Sequence, residues 1–513
     1  MECSGSCSAK IPSIDDLPEE VLEYILSLIA PYKDLHDSML VSKKWRRCVK
    51  NVVKIRQRNF HKGISEFNVK WSVVNPDSKA PIISKRYSHS AAIHGHSMYI
   101  FGGCTSAMTT FNDLWLLDLT TRTWLRPFTT GSYPSPKACS SLVHYKDLLV
   151  LFGGWTYPPA YPLYQSWHLF NELHVYDITT KRWTNICTEN NPPPMAGHSA
   201  CVVGQWMIVF GGLQKPSTAV HCEKSNDIWK LNLETWVWHK QEVLAGPKPL
   251  GRFGQTQVMV NEKNLFILGG SGGPSSQYCD GWLLNMENSL WKWIKVELQG
   301  KANEPVNIWS NPGCKIGNKI VVLNRIRRED ESPVVYYPRS HWTRSEPDDS
   351  RRSRIDIAIR PPDRDENVNG RRGDLRQLRK DPAESSGILP GPSEGSRTQP
   401  IDWSRRNAFM PPLLPTINPA QAKRTLMDMS MNEFYPHSST SVSIQANKRE
   451  KKMHYLGLYV LDLANVLEKN PIATWLPPNN LQNGPEETIL YTLLEGNSEL
   501  IMFGGILKED YVI

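Results

Sequence analysis

No run of about 18 consecutive apolar residues occurs in this 513-residue chain, so no membrane-spanning helix is expected. The opening stretch "MECSGSCSAK" lacks the apolar core of a secretory leader, and no signal peptide is expected. The ten cysteines form no Cys-x-x-Cys pair and follow no regular spacing. They read as reduced thiols of a cytosolic or nuclear protein, with a disulfide framework or a zinc site as the lesser alternative. The Gly-rich "GGSGGP" (269–274) has no Lys-Ser/Thr after it and is not a phosphate-binding loop. Nor is the net charge of +8 a property of the whole chain: about six of those charges fall between 325 and 455.

What the chain has in plenty is Gly (33), Pro (38) and Trp (18), and these recur in order. Apolar runs ending in Gly-Gly stand at 98–103, 148–154, 207–212 and 265–270, and once more, far downstream, in "ELIMFGG" (499–505). Each of the first four is followed by a loop and then a strand, a polar turn and a Trp-bearing strand: "NDLWLLDLTTRTW" (112–124), "NELHVYDITTKRW" (171–183), "NDIWKLNLETWVW" (226–238) and "CDGWLLNMENSLWKW" (279–293). Small-residue patches such as "RYSHSA" (86–91) and "MAGHSA" (195–200) open the units. One unit is thus four strands in about 50 residues. Gly-Gly at a strand end permits close backbone approach, and Trp124 or Trp183 is sized to fill the wedge between adjacent sheets.

Radially packed four-stranded sheets make a propeller, and this pattern resembles the Kelch repeat. A fifth unit opens at 308–323, has Asn324-Arg325 in place of Gly-Gly, and resumes at "LGLYVLDL" (456–463) and "ATW" (473–475). A sixth starts near Glu487 and lacks its Trp strand. The expectation is that "EFNVKWSVV" (66–74), with Trp71 in the Trp role and "DYVI" (510–513) as a short third strand, closes the ring; a truncated sixth unit is the alternative. The intervening segment, 325–455, mixes Arg with Asp, Glu, Pro and Ser without core-forming periodicity and is expected to be a disordered, solvated linker. Its "KREKK" (448–452) leaves nuclear import or nucleic-acid contact as the alternative, and "RTLMDMSMNEFY" (424–435) a short docking helix.

Residues 11–60 do not follow the repeat. "IDDLPEEVLEYILSLI" (14–29) predicts a helix, with Pro18 and four acidic residues at its positive end. A second helical stretch carries Leu40, Val41, Trp45 and Val49. Such a short unit is expected to have more apolar face than it can bury alone, which suits either a cap on the propeller or a docking module. "LPEEVLEYIL" and "LVSKKW" resemble the F-box, with Ser42 where F-boxes often have Cys. The whole is therefore expected to be mainly β: a small all-α F-box domain (11–60), a linker and closing strand (64–80), and a six-bladed Kelch β-propeller (81–324 and 456–513) split by the long disordered insert (325–455).

An F-box followed by one Kelch propeller is similar to the substrate receptors of SCF ubiquitin ligases. That resemblance implies a Skp-family adaptor held by the F-box, a cullin and a RING subunit reached through the adaptor, and a protein substrate on the propeller, in the cytoplasm and nucleus. The adaptor contacts it implies are Leu17, Pro18, Glu20, Leu22, Ile25, Leu26, Val41 and Trp45, some of which must instead hold the module together. A non-degradative Kelch scaffold or cytoskeletal binding protein is the rival reading.

Strand direction alternates within a blade, so the loops joining strands two and three leave the same end as the links between blades. On that face lie the aromatic candidates for substrate binding, Trp155, Tyr157, Tyr161, Tyr164 and Trp167. Their alternative role is to brace a long loop.

No enzyme is expected: catalytic residues, metal ligands and cofactors are all read as none. His89 and His198 occupy matching repeat positions and read as blade structure, and "EKSNDIWKL" (223–231) has Leu231 where an iron-binding motif of plant Kelch proteins needs His. Neither a membrane nor nucleic acid is expected as a partner.

Overall fold

The structure is a computed structural model that describes residues 13–74, 81–107, 109–157, 168–215, 222–273, 276–306, 308–309, 311–326, 454–478 and 484–507. Most of the predicted insert, 327–453, and the stretch "DYVI" (510–513) lie outside these residues. The eight cysteines among them are all free thiols.

Each apolar run before Gly-Gly is a strand at the heart of an antiparallel sheet. In blade 1 the order is Ser90–His94, Ser97–Phe101, Leu114–Asp118, Thr123–Leu125. Blades 2, 3 and 4 repeat it, and among the described residues blade 6 is a hairpin of Thr492–Glu495 with Leu500–Phe503. Blade 5 is assembled across the insert: Lys319–Arg325 pairs with Leu456–Asp462 from Lys319↔Asp462 to Arg325↔Leu456. Without Gly-Gly the strand simply runs on through Asn324 and Arg325.

The two halves of the repeat meet between blades. Trp183 of blade 2 packs on Phe101 of blade 1, Trp238 on Phe152, Trp293 on Phe210, and Trp124 of blade 1 on Phe503 of blade 6, with ring centroids 4.7–5.5 Å apart. The Phe in each pair is the residue before Gly-Gly. The second glycine then donates its N–H to the next blade: Gly103 to the Lys137 carbonyl at 3.0 Å, Gly154 to Met195 at 2.8 Å, Gly212 to Arg252 at 2.8 Å, and Gly505 to Arg86 at 2.9 Å. A Cβ on Gly102 (φ +64°) would stand 2.4 Å from the Lys137 carbonyl oxygen, so only glycine fits.

That last bond, from Gly505 to Arg86, answers how the ring closes. Blade 6 meets blade 1 through it, through Ser88 N–H to the Leu490 carbonyl (3.0 Å), and through the Trp124–Phe503 wedge. The predicted closing strand is corrected: residues 68–74 pair with no strand among the described residues. The long third helix runs on to Ser65, and Ile64 and Phe67 are buried against Leu323, Leu456, Tyr491 and Leu493 of blades 5 and 6. This anchor lays Trp71 against the same cluster as packing, not as a ladder partner.

Candidate functional site

The helical head is built from α1 (Glu19–Leu26), α2 (Lys33–Asp37) and α3 (Lys43–Ser65). Glu19 and Glu20 occupy the first turn of α1, after Pro18. The Ser42 side chain caps α3 by accepting from the Trp45 N–H at 3.2 Å.

One stripe of α1, Leu22 and Leu26, is fully buried against Leu35, Cys48, Val49 and Val52. Leu22 and Leu26 are therefore corrected: with 0% exposure they hold the module together and offer nothing to a partner. Trp45 is half-buried, and its indole N–H donates to Asp15 Oδ1 at 2.9 Å. Beside it Lys44 Nζ donates to the carbonyls of Asp15 (2.7 Å) and Leu17 (2.6 Å). Trp45 and Lys44 thus pin the Leu17-Pro18 turn.

Pro18, Glu20 and Val41 are exposed, and Leu17 and Ile25 half-buried. The structure adds a set that motif reasoning missed. Val21, Tyr24 and Leu28 recur at i, i+3 and i+7, and are 43%, 66% and 70% exposed; Leu40 is 77% exposed. Two apolar stripes run along α1 and the turn that follows it, and a broad apolar face in the sequence does not say which one the module covers.

The head is fastened to the propeller at one end. Tyr32 is buried and its hydroxyl donates to the Glu499 carboxylate in the hairpin of blade 6. Burial, with the Glu499 charge, pushes that hydroxyl well above the ordinary phenol range. Arg122 of blade 1 donates twice to the same carboxylate at 2.8 Å, and Asn497 Nδ2 donates to the Pro31 carbonyl at 2.7 Å. The Lys33 N–H reaches Thr120 Oγ1, and His36 lies against the His96 ring. His96, Thr120, Arg122 and 496–499 all sit in hairpins joining strands one to two or three to four. The head sits on that end over blades 1, 5 and 6, and the loops joining strands two and three leave the other.

On that other face the loops of blades 2 to 4 each begin as a small ladder: Trp155–Thr156 with His168–Leu169, Leu213–Gln214 with Glu223–Lys224, and Ser271–Gly273 with Ser276–Gln277. Trp155 is corrected as a substrate anchor. It is 5% exposed, exchanges two backbone hydrogen bonds with Ala138, and packs with Leu169, Ala138 and Ala196. Tyr157 is half-buried, its ring 4.5 Å from that of Trp155, and burial pushes its hydroxyl up to about 12. These two brace the loop. Tyr161, Tyr164 and Trp167 lie outside the described residues.

Beneath the loops sit buried cations. Arg86 pairs with Asp113 at 2.6 Å, Lys137 with Glu172 at 2.7 Å, and Arg252 with Asp280 at 2.6 Å, each cation side chain with no exposed surface. Burial raises Asp113 and Asp280, but the guanidinium hydrogen bonds and charge outweigh it and hold both carboxyls below the usual range. With their charges matched, these are struts. His89 shares a hydrogen bond with Thr492 Oγ1 and His198 one with Ser141 Oγ, both at 2.9 Å across blade boundaries. Among the described residues no cluster of three or more His, Cys, Asp or Glu is arranged to hold a metal.

Comparison with known proteins follows the same division. The head matches the F-box-like family model over residues 14–59, and the blades match the model described as FBX42, beta-propeller domain, over residues 86–293. Kelch domain-containing protein 1 of Mus musculus is 31% identical over 229 residues, covering 40% of this chain and 54% of that protein. Acyl-CoA-binding domain-containing protein 4 of Arabidopsis thaliana is 27% identical over 294 residues, covering 51% of this chain and 41% of that protein. Kelch domain-containing protein 3 of Rattus norvegicus is 26% identical over 269 residues, covering 50% and 66%. The chain spans about half the length of the first of these curated relatives. With an F-box-like head on Kelch blades that match the FBX42 propeller, the chain is an F-box/Kelch protein of the FBX42 type.

Proposed function

We propose that this protein is the substrate-recognition subunit of an SCF-type ubiquitin ligase. The head docks a Skp-family adaptor, through which a cullin and a RING subunit are reached, and the opposite face of the propeller holds the protein substrate. The observation that carries this reading is the arrangement of the head. Its core stripe is covered from within, a second apolar stripe (Val21, Tyr24, Leu28) with Leu40 and Val41 is exposed, and the head is fixed by Tyr32 and Glu499 to the end away from the long loops. An exposed apolar patch on a small helical unit is what a docking partner covers.

In this reading the chain itself does no chemistry. A rigid head-to-propeller connection holds the substrate near the conjugating enzyme, and the rate gain is one of proximity and orientation. Degradation of the substrate by the proteasome, and residence in cytoplasm and nucleus, belong to the same proposal.

Affinity capture of the tagged full chain from cells tests it, with the adaptor and cullin quantified by mass spectrometry. The wild type is expected to recover both, and the double variant Pro18→Ala, Tyr24→Ala to lose both while its thermal midpoint is unchanged. Recovery of neither by the wild type would leave a propeller scaffold with a helical cap.

A further inference from the structure

The third strand of each blade carries two residues that face opposite neighbours. One lies across from the wedge Trp: Leu117, Tyr176, Leu231, Leu284 and Leu461. The residue before it faces the next blade, and in four blades it is aliphatic: Leu116, Val175, Leu283 and Val460, each packed in an apolar cluster. In blade 3 that position is Lys230. The boundary of blades 3 and 4 is filled around Phe210 and Trp293, but at its hairpin end, where Lys230 takes the place the repeat reserves for an aliphatic side chain, a cleft of about 450 Å³ opens.

The cleft is lined by Trp206, Ile208, Lys230, Glu262, Met286 and Trp291. It opens between hairpin tips at the head's end of the propeller, on blades 3 and 4, away from the head's contacts with blades 1, 5 and 6. The Lys230 ammonium is 5.0 Å from the Trp206 ring centroid and 5.5 Å from that of Trp291. No carboxylate among the described residues lies within ion-pair distance of it. Burial alone lowers its pKa, with no neighbouring charge contributing. Trp206 is half-buried, with His239 edge-on to its ring at 5.8 Å, and the part of the indole left uncovered is open to a ligand, whereas Trp291 is buried.

We propose that this cleft binds a peptide segment in which a carboxylate neighbours a flat apolar side chain. The apolar side chain stacks on the Trp206 indole and Met286, and the carboxylate supplies the counter-charge that Lys230 lacks. Glu262 at the rim disfavours a second acidic residue and favours an N–H or a cation beside the first. A single cation facing a carboxylate also argues against nucleic acid, whose binding needs several phosphate contacts. The inference does not rest on the ligase reading and concerns a different face from the substrate loops.

The test uses the full chain and a Lys230→Leu variant, which installs the residue that blades 1 and 4 already have and so keeps the ring folded. Lys230→Met is a second variant of similar length, and circular dichroism with the thermal midpoint checks all three. A cellulose-bound array of decapeptides, with Glu, Gln, Phe and Ala permuted at the central positions, is probed with each protein, and hits are re-measured by fluorescence anisotropy. The expected result is a set of peptides that bind wild type at least ten-fold more tightly than either variant, with Glu beside Phe, and that lose binding on Glu→Gln. The proposal is overturned if wild type and variants retain the same peptides, if Lys230-dependent peptides contain no acid, or if no peptide depends on Lys230.

Discussion

Tyr32 and Glu499 are 467 positions apart, yet the phenol of one donates to the carboxylate of the other at the seam of head and propeller. Arg122 clamps that carboxylate from blade 1. One acidic side chain therefore ties the head, the first blade and the last together. Tyr32→Phe removes the hydrogen bond to Glu499 and the longer one accepted from the Asn497 N–H and is expected to cost about 1 kcal/mol, while Glu499→Ala takes the acceptor from both Tyr32 and Arg122 and is expected to cost about 2 kcal/mol. Hydrogen exchange of α2 and of 496–499 reads the effect. Equal protection in wild type and Glu499→Ala would mean that the clamp does not hold the head.

The two stripes of α1 should separate stability from docking. Leu22→Ala opens a cavity in the core of the head and is expected to cost about 2–5 kcal/mol. Tyr24→Asp and Leu28→Asp, at 66% and 70% exposure, are expected to leave the urea midpoint unchanged and to reduce adaptor capture at least ten-fold. If Tyr24→Asp unfolds the head instead, the exposed stripe is part of its core.

Two glycines with similar backbones differ in their surroundings. Gly102 (φ +64°) has the Lys137 carbonyl 2.4 Å from where a Cβ would stand, whereas Gly204 (φ +55°) has nothing within 4 Å. Gly204→Ala carries only the left-handed backbone penalty, about 1–2 kcal/mol. Gly102→Ala adds a clash with the next blade and is expected to lower the urea midpoint at least twice as far. Equal losses would show that the blade contact yields to a methyl group.

Stability should fall as pH drops below neutral. Burial pushes His89 and His198 down to about 3, and burial followed by Lys137 pushes His174 down to about 4. Unfolded histidine takes up a proton near pH 6.5, so between that pH and about 4 the unfolded chain binds protons that the folded one refuses. Each group then removes about 1.4 kcal/mol of stability per pH unit. The urea midpoint is expected to decline from pH 7 to pH 5, and His198→Gln to decline less steeply. Parallel pH profiles for wild type and His198→Gln would contradict this.

The repeat was legible because its parts are local. Phe101 followed by Gly102-Gly103, an Asp turn at Asp118, and Trp124 lie within one unit of about 50 residues, and each has a steric role that few other residues fill. The Asp role is visible directly: Asp118 Oδ1 accepts from the N–H groups of Thr120 and Thr121 at 2.7 and 3.1 Å. The split of blade 5 was readable for the same reason, since both fragments kept their own part of the pattern.

The candidate site was only partly legible. Trp155 reads as a loop aromatic fit to anchor a ligand, and it is core, because the ladder that buries it forms with Ala138 and with Leu169 beyond the loop. Trp71 has the right spacing from blade 1 to be a wedge Trp, but where α3 ends, and what Ile64 and Phe67 pack on, decides its place.

By itself the sequence determined the order of blades, the wedge tryptophans, the interblade glycines and the existence of an amphipathic helical head, since each follows from periodicity or from a conformation only one residue type adopts. The tertiary structure alone decided which stripe of α1 is covered, where the head is fastened, how the ring closes, and that Lys230 faces a cleft at the hairpin end of blades 3 and 4. Those outcomes depend on which surfaces remain once distant segments have packed, and no local pattern carries that information.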